Sequence, residues 1–144
     1  MKLMTISKDG LELIKKYEGL RLKAYKCPAG IPTIGYGHTN GVTMGMEISQ
    51  SVAEKYLLED IAPIERALNA LHINLRQGQF DALVSFIFNL GQGSFNESTL
   101  KKKILASAPD SEICAEFKKW NKAGGKVLAG LVKRREDEAR TWVL

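Results

Sequence analysis

Cysteine is scarce in this chain. Cys27 and Cys114 are the only two in 144 residues, too few for a disulfide framework. With two histidines beside them, the close Cys/His spacing of a zinc site is missing as well, so no metal and no cofactor is expected. Long apolar runs are also lacking. Even Ala82-Leu83-Val84-Ser85-Phe86-Ile87-Phe88 stops at Asn89, well short of a membrane span, and no stable membrane insertion is expected. At the N-terminus Met1-Lys2-Leu3-Met4-Thr5-Ile6 runs straight into Ser7-Lys8-Asp9. That leaves no hydrophobic region of the length a signal peptide needs, and the chain reads as cytosolic when made. There is no internal repeat and no low-complexity tract.

What is present is an ordinary globular composition, 44% hydrophobic and 26% charged. The length suits one domain or two small lobes sharing one core. The net charge of +5 and pI of about 9.2 favour anionic partners, whether nucleic acid, an acidic membrane surface or an anionic polymer. A nucleic-acid-binding module is the rival that this charge invites. Against it, no helix–turn–helix, zinc or aromatic RNA-binding signature is visible, and aromatics do not interleave the basic runs.

Ser7 as N-cap and Gly19 just past the end predict a helix over about 8–18. The grammar then changes. Leu20 to Lys26 reads as a short strand, Pro28-Ala29-Gly30 as a turn, and Ile31 to Tyr36 as a second strand. Gly35 and Gly37 there let the backbone approach something closely. Asn40-Gly41 is a hairpin signal before Val42-Thr43, so residues 20–47 are expected to form an antiparallel sheet of two or three strands. Ser49 caps a long helical stretch in which Val52, Tyr56, Leu57, Ile61, Ile64, Leu68 and Leu71 recur at three- and four-residue spacing. Pro63 inside it is expected to kink or divide it. Phe80, Leu83, Val84, Ile87 and Phe88 mark a nearly all-apolar central helix, ended by Gly91-Gln92-Gly93. Shorter helices follow over Ser98–Ala106 and Glu112–Trp120, then a loop at Ala123-Gly124-Gly125, then a charged helix over Leu131–Trp142. The expected architecture is α+β and one domain over 1–144. It has an N-terminal helix and small β lobe over about 1–48, a linking helix over about 49–75, and a helical lobe over about 76–144. A cleft between two such lobes is a natural ligand site.

Three polar residues stand out as carriers of chemistry. Leu11, Ile14 and Glu18 fall on one helical stripe, and Glu18 closes that helix. A carboxyl on an apolar stripe at the negative end of a helix dipole holds its proton more tightly, which is what a general acid needs. Cys27 follows at a hairpin turn and Thr33 on the returning strand, so a hairpin folding back beside the helix end would bring all three to one mouth. His38, next to Gly35 and Gly37, reads better as a loop tie than as a catalyst. His72 carries no expected chemistry. Trp120 on a helix is a core or cleft residue. The runs Lys101-Lys102-Lys103 and Lys133-Arg134-Arg135 read as solvated helix faces that also draw the protein toward anionic polymers.

The stretch Tyr17-Glu18-Gly19-Leu20-Arg21-Leu22-Lys23-Ala24-Tyr25, followed by Thr33-Ile34-Gly35-Tyr36-Gly37-His38-Thr39, resembles the phage-type lysozymes. The resemblance continues through Gln79-Phe80-Asp81-Ala82-Leu83-Val84-Ser85-Phe86 and Asn89-Leu90-Gly91. It extends into Ala123-Gly124-Gly125-Lys126-Val127-Leu128-Ala129-Gly130-Leu131-Val132 and Arg134-Arg135-Glu136. It implies a lysozyme-like fold and an endolysin that hydrolyses the β-1,4 bond between N-acetylmuramic acid and N-acetylglucosamine in peptidoglycan. It also implies a catalytic triad in which Glu18 is the acid and Thr33 the threonine. Cys27 stands where an aspartate is common, although cysteine also occurs there. Asn89 resembles a position that faces the cleft, with a helix C-cap as its other reading, and Gly37 and Trp120 are the further candidates for substrate contact. The same resemblance implies a monomer, release to the wall through a holin-type membrane permeabiliser, and no nucleic-acid partner.

Glycoside cleavage needs an acid for the leaving oxygen and a base or nucleophile on the other face of the sugar. A free thiol with a pKa of about 8.5 is only slightly ionised at neutral pH. An ionised Glu18 nearby would make it less so, and Lys23 and Lys26 more so. Cys27 as base for a water held by Thr33 gives inversion; Cys27 attacking the sugar carbon gives a thioglycoside and retention. The first fits the threonine better. A third possibility is a wall-binding protein that has lost catalysis at Cys27.

Overall fold

The computed structural model describes residues 3–144. Ser7 caps helix α1 (Lys8–Glu18), its hydroxyl accepting from the Gly10 amide at 3.1 Å. The cap is anchored in turn, because the Ser7 amide donates to Asp81 Oδ1 at 3.0 Å and its hydroxyl to Asp81 Oδ2. Helix α1 buries Ile14 and stops where Gly19, at φ 70°, donates its amide back to the Lys15 carbonyl at 3.0 Å.

Strands β1 (Arg21–Lys26) and β2 (Pro32–Gly35) pair antiparallel, with Arg21 opposite Gly35 and Tyr25 opposite Thr33. The register slips between those pairs, which marks a bulge. On the other side of β1 the Ala24 amide donates to the Met46 carbonyl and the Ile48 amide to the Leu22 carbonyl, each at 2.9 Å. The expected two- or three-stranded sheet is thus two strands with a short third segment laid along β1. Asn40-Gly41 is not a hairpin turn between strands. Ile34 and His38 exchange backbone hydrogen bonds at 2.8 and 2.9 Å, so the chain has already reversed at Gly35-Tyr36-Gly37. Two glycines at φ 66° and 82° make that tight reversal possible.

Helix α2 (Gln50–Asn69) begins with the Val52 amide donating to the Ser49 hydroxyl, and buries Ala53, Leu57, Ile61 and Leu68 on one stripe. Pro63 does not divide it; the buried residues on both sides hold the helix together across the missing amide. Helix α3 (Gln77–Leu90) is buried continuously from Gln79 to Ile87. Helix α4 (Gln92–Glu97) occupies a stretch the sequence reads as a loop, because Phe95 is fully inside and draws the chain into one more helical turn. Ser98 then caps α5 (Thr99–Leu105), accepting from the Lys101 amide at 3.0 Å, and α6 (Asp110–Lys118) follows. The expected loop at 123–125 is the tip of a small hairpin. Strands β3 (Lys122–Ala123) and β4 (Lys126–Val127) pair around Gly124 and Gly125, both at positive φ. Helix α7 (Ala129–Trp142) closes the chain.

The chain divides into two compact units. The smaller is Lys15–Pro63; the larger is the residues up to Ile14 together with Ile64–Leu144. The core of the larger unit is aromatic. The Phe86 ring meets Phe95, Phe117 and Trp120 edge-on at 6.3, 5.5 and 5.6 Å, and Trp142 packs on Phe117 at 5.9 Å.

Candidate active site

Three of the residues singled out from the sequence belong to one hairpin and the helix that precedes it. Glu18 is the last residue of α1 and is half-buried. Its Oε1 lies 3.1 Å from where a Cβ at Gly37 would stand. An added Cβ would press on the carboxyl, and the backbone there, at φ 82°, favours glycine in any case. Gly37 in turn sits four residues after Thr33, in the reversal that follows β2. Thr33 is 3% exposed, and its hydroxyl donates to the Ile31 carbonyl at 2.8 Å.

Cys27 follows the last residue of β1, at a turn closed by the Gly30 amide on the Cys27 carbonyl at 2.7 Å. The Ile31 amide reaches back to the sulfur and pulls the thiol below its ordinary pKa, against the opposing effect of desolvation. The Ala29 amide, the Thr33 hydroxyl and the residue's own amide add to the pull. The lowering therefore comes from the turn itself and not from Lys23 and Lys26, both of which are exposed. Lys23 instead faces Glu47 at 3.7 Å. The Thr33 hydroxyl has one proton and two claimants, the Ile31 carbonyl and Sγ, so a thiolate at Cys27 draws that proton toward itself.

His38 is a tie. Its Nδ1 lies 2.8 and 3.0 Å from the two oxygens of Asp60, its ring stacks on Tyr56 at 4.2 Å, and it is 5% exposed. The hairpin is thereby fixed to α2. Lys15 ties the end of α1 to the same helix, with its Nζ 2.7 Å from Glu54. His72 is exposed.

Asn89 and Trp120 belong to the larger unit. Asn89 lies one turn after Phe86 on α3, and its Oδ1 is buried without a hydrogen-bond partner among the described residues. A buried acceptor left unpaired costs about 1–3 kcal/mol. Trp120 is half-buried against Phe86, and its carbonyl accepts from Arg135 Nη1 at 3.4 Å. The run Lys133-Arg134-Arg135 is not a solvated face. Arg134 and Arg135 are 3% and 0% exposed and converge on Glu138, itself wholly buried. Arg135 Nε stands 2.7 Å from Glu138 Oε1, and Ser85 Oγ donates to Oε2 at 2.6 Å. Burial pushes the Glu138 carboxyl upward against the pull of Arg135. The run misleads because the acid that turns it inward lies three and four residues further on. The Lys101–Lys103 run is half misread in the same way, since Lys103 Nζ bonds the buried Glu116 at 3.0 Å.

No helix among the described residues is long and apolar enough to cross a membrane. The family described as phage lysozyme matches residues 15–138.

The chain belongs to the phage lysozyme family.

It is 51% identical over 140 residues to an endolysin of Acyrthosiphon pisum secondary endosymbiont phage 1, covering 94% of this chain and 95% of that one. To an endolysin of Bacillus phage B103 it is 46% identical over 142 residues, covering 94% of this chain but 52% of that longer protein. Among solved structures, the muramidase domain of SpmX from Asticaccaulis excentricus superimposes with a TM-score of 0.90 at 38% identity, covering 97% of this chain and 98% of that one. The α+β, lysozyme-like class expected of the sequence is the class of this phage lysozyme, and the protein is an enzyme of the endolysin type.

Proposed function

We propose that this phage lysozyme hydrolyses the β-1,4 bond between N-acetylmuramic acid and N-acetylglucosamine in peptidoglycan as one lysozyme-like domain over 1–144, with inversion. Glu18 gives its proton to the leaving glycosidic oxygen. The Cys27 thiolate takes a proton from a water that Thr33 orients, and that water's oxygen bonds to the anomeric carbon as the glycosidic bond breaks. Solvent then returns a proton to Glu18 and removes one from Cys27. The observation that carries this reading is the setting of the sulfur. Two turn amides and the Thr33 hydroxyl stabilise its ionised form, so the chain has a base on the same hairpin whose reversal holds the Glu18 carboxyl against Gly37.

Asn89 carries a side-chain amide with both donor and acceptor, the pair an acetamido group needs. Gly37 leaves room beside the acid, and Trp120 gives an apolar face to a sugar ring. The proposal extends to the biology. The enzyme works as a monomer, is made in the host cytoplasm, and reaches the wall once a holin-type partner has permeabilised the membrane.

The test is the anomer first formed from purified peptidoglycan, read by proton NMR. An α-anomer is expected. A β-anomer, with a thioglycoside on Cys27 in the mass spectrum, overturns the base role in favour of a nucleophile. Cys27→Ser with undiminished turnover removes the sulfur from the reaction altogether.

A further inference from the structure

Between Phe117 and Arg135 the chain has seven Lys and Arg residues and no Asp or Glu. Arg134 and Arg135 are used inside the protein on Glu138, and Lys119 lies on Glu116 at 2.7 Å. That leaves Lys118, Lys122, Lys126 and Lys133, all exposed and without an ion-pair partner among the described residues. Two of the four are in the β3–β4 hairpin. Every residue from Lys122 to Gly130 is exposed, including Val127 at 57% and Leu128 at 44%. The hairpin is held at its base by the Leu128 amide on the Asn121 carbonyl at 3.0 Å. A two-stranded hairpin of this size contributes little stability of its own, and this one buries almost nothing. It presents cations and aliphatic side chains side by side to solvent.

We propose that the β3–β4 hairpin, with Lys118 and Lys133 beside it in sequence, is a surface that adsorbs to anionic lipid bilayers. Lysines meet anionic headgroups, and Val127 and Leu128 reach the boundary between headgroups and acyl chains. An acidic peptide or polyanion accounts for the lysines but leaves both aliphatic side chains in water; a bilayer surface accommodates both kinds of group. Adsorption of this sort is peripheral and crosses nothing. It is independent of the catalytic reading above, since none of these residues has a part in it.

The test is co-sedimentation of the full chain with vesicles of phosphatidylcholine, pure or mixed with phosphatidylglycerol. Binding is expected to the mixed vesicles only and to weaken as salt is raised. Lys122→Gln combined with Lys126→Gln is expected to lower the partition coefficient by roughly tenfold or more. Val127→Ser combined with Leu128→Ser is expected to lower it at unchanged charge. Both double variants are expected to hydrolyse lipid-free peptidoglycan as the parent does. Equal binding to the two kinds of vesicle overturns the proposal, as does a partition that neither double variant changes. If the lysine variant loses hydrolysis of lipid-free peptidoglycan while keeping vesicle binding, the surface serves acidic groups of the wall polymer and not lipid. Failure of the parent to hydrolyse peptidoglycan bears on the catalytic reading alone.

Discussion

The two compact units of this enzyme are stabilised by different means. In Lys15–Pro63 the candidate acid, thiol and hydroxyl are held by glycine reversals, turn amides and a histidine tie. Six of the nine glycines at positive φ lie there, which marks backbone shape as the organising element. In the larger unit an aromatic cluster and a buried Arg–Glu–Arg group take that place. Reactive groups need donors at defined places, which a turn supplies with its own amides, while a helix uses its amides internally. Helices in exchange bury broad side-chain faces, and the larger unit places stability there. Substitutions in the smaller unit should therefore change chemistry with little change in melting, and substitutions in the larger should do the reverse.

The largest departure is expected at Glu18. Glu18→Gln keeps the shape of the side chain and removes its proton, so hydrolysis of peptidoglycan should fall by about 10²–10⁴ with the melting temperature almost unchanged. A folded variant with parental turnover breaks both the assignment and the contrast. Next comes Glu138→Ala. It removes the carboxylate on which Arg134 and Arg135 converge, and a broken buried pair costs about 3–5 kcal/mol. Urea unfolding should show that loss, while the pH profile of the remaining folded enzyme keeps its shape.

A smaller effect isolates the thiol. Activity should rise with pH as Cys27 ionises, and the rise should lie below the ordinary thiol range because the turn amides and Thr33 lower the pKa. Thr33→Val removes one of those donors, so the rise should move to higher pH. An unmoved limb argues that Thr33 does not act on the sulfur. The smallest effect concerns Glu116, whose carboxyl is held below its usual range by Lys119 first and then Lys103. The unfolded chain binds the proton more readily, so this contribution is complete above a pH of about 4.3 and fades as pH falls through the lower folded value. Glu116→Gln should lower stability at neutral pH by roughly 2 kcal/mol, the scale of hydrogen bonds to a charged group, and should flatten the acid limb of the stability curve.

Most helices were legible because their stripes are long: Leu57, Ile61 and Leu68 of the predicted α2 stripe are buried, and Ser7, Gly19 and Ser98 mark helix ends as their chemistry dictates. What escaped was decided at a distance. Helix α4 exists because Phe95 is drawn into the aromatic core, and Arg134 and Arg135 turn inward because Glu138 and Ser85 await them; neither cause lies in the run itself. In the candidate site, the residue types at positions 18, 27 and 33 could be read from the sequence. The amides of Ala29 and Ile31, which act on the sulfur, could not. Every residue but proline carries an amide, so side-chain identity alone does not show where one points.

Gly37 has a consequence for how this gene can vary. Every single-base change in a glycine codon that alters the residue gives either a stop or an amino acid with a Cβ. At position 37 that Cβ stands 3.1 Å from Glu18 Oε1 on a backbone at φ 82°. A one-step substitution there presses on the acid as well as on the backbone, whereas at Gly30 and Gly41, also at positive φ, an added Cβ meets nothing within 4 Å and only the backbone resists.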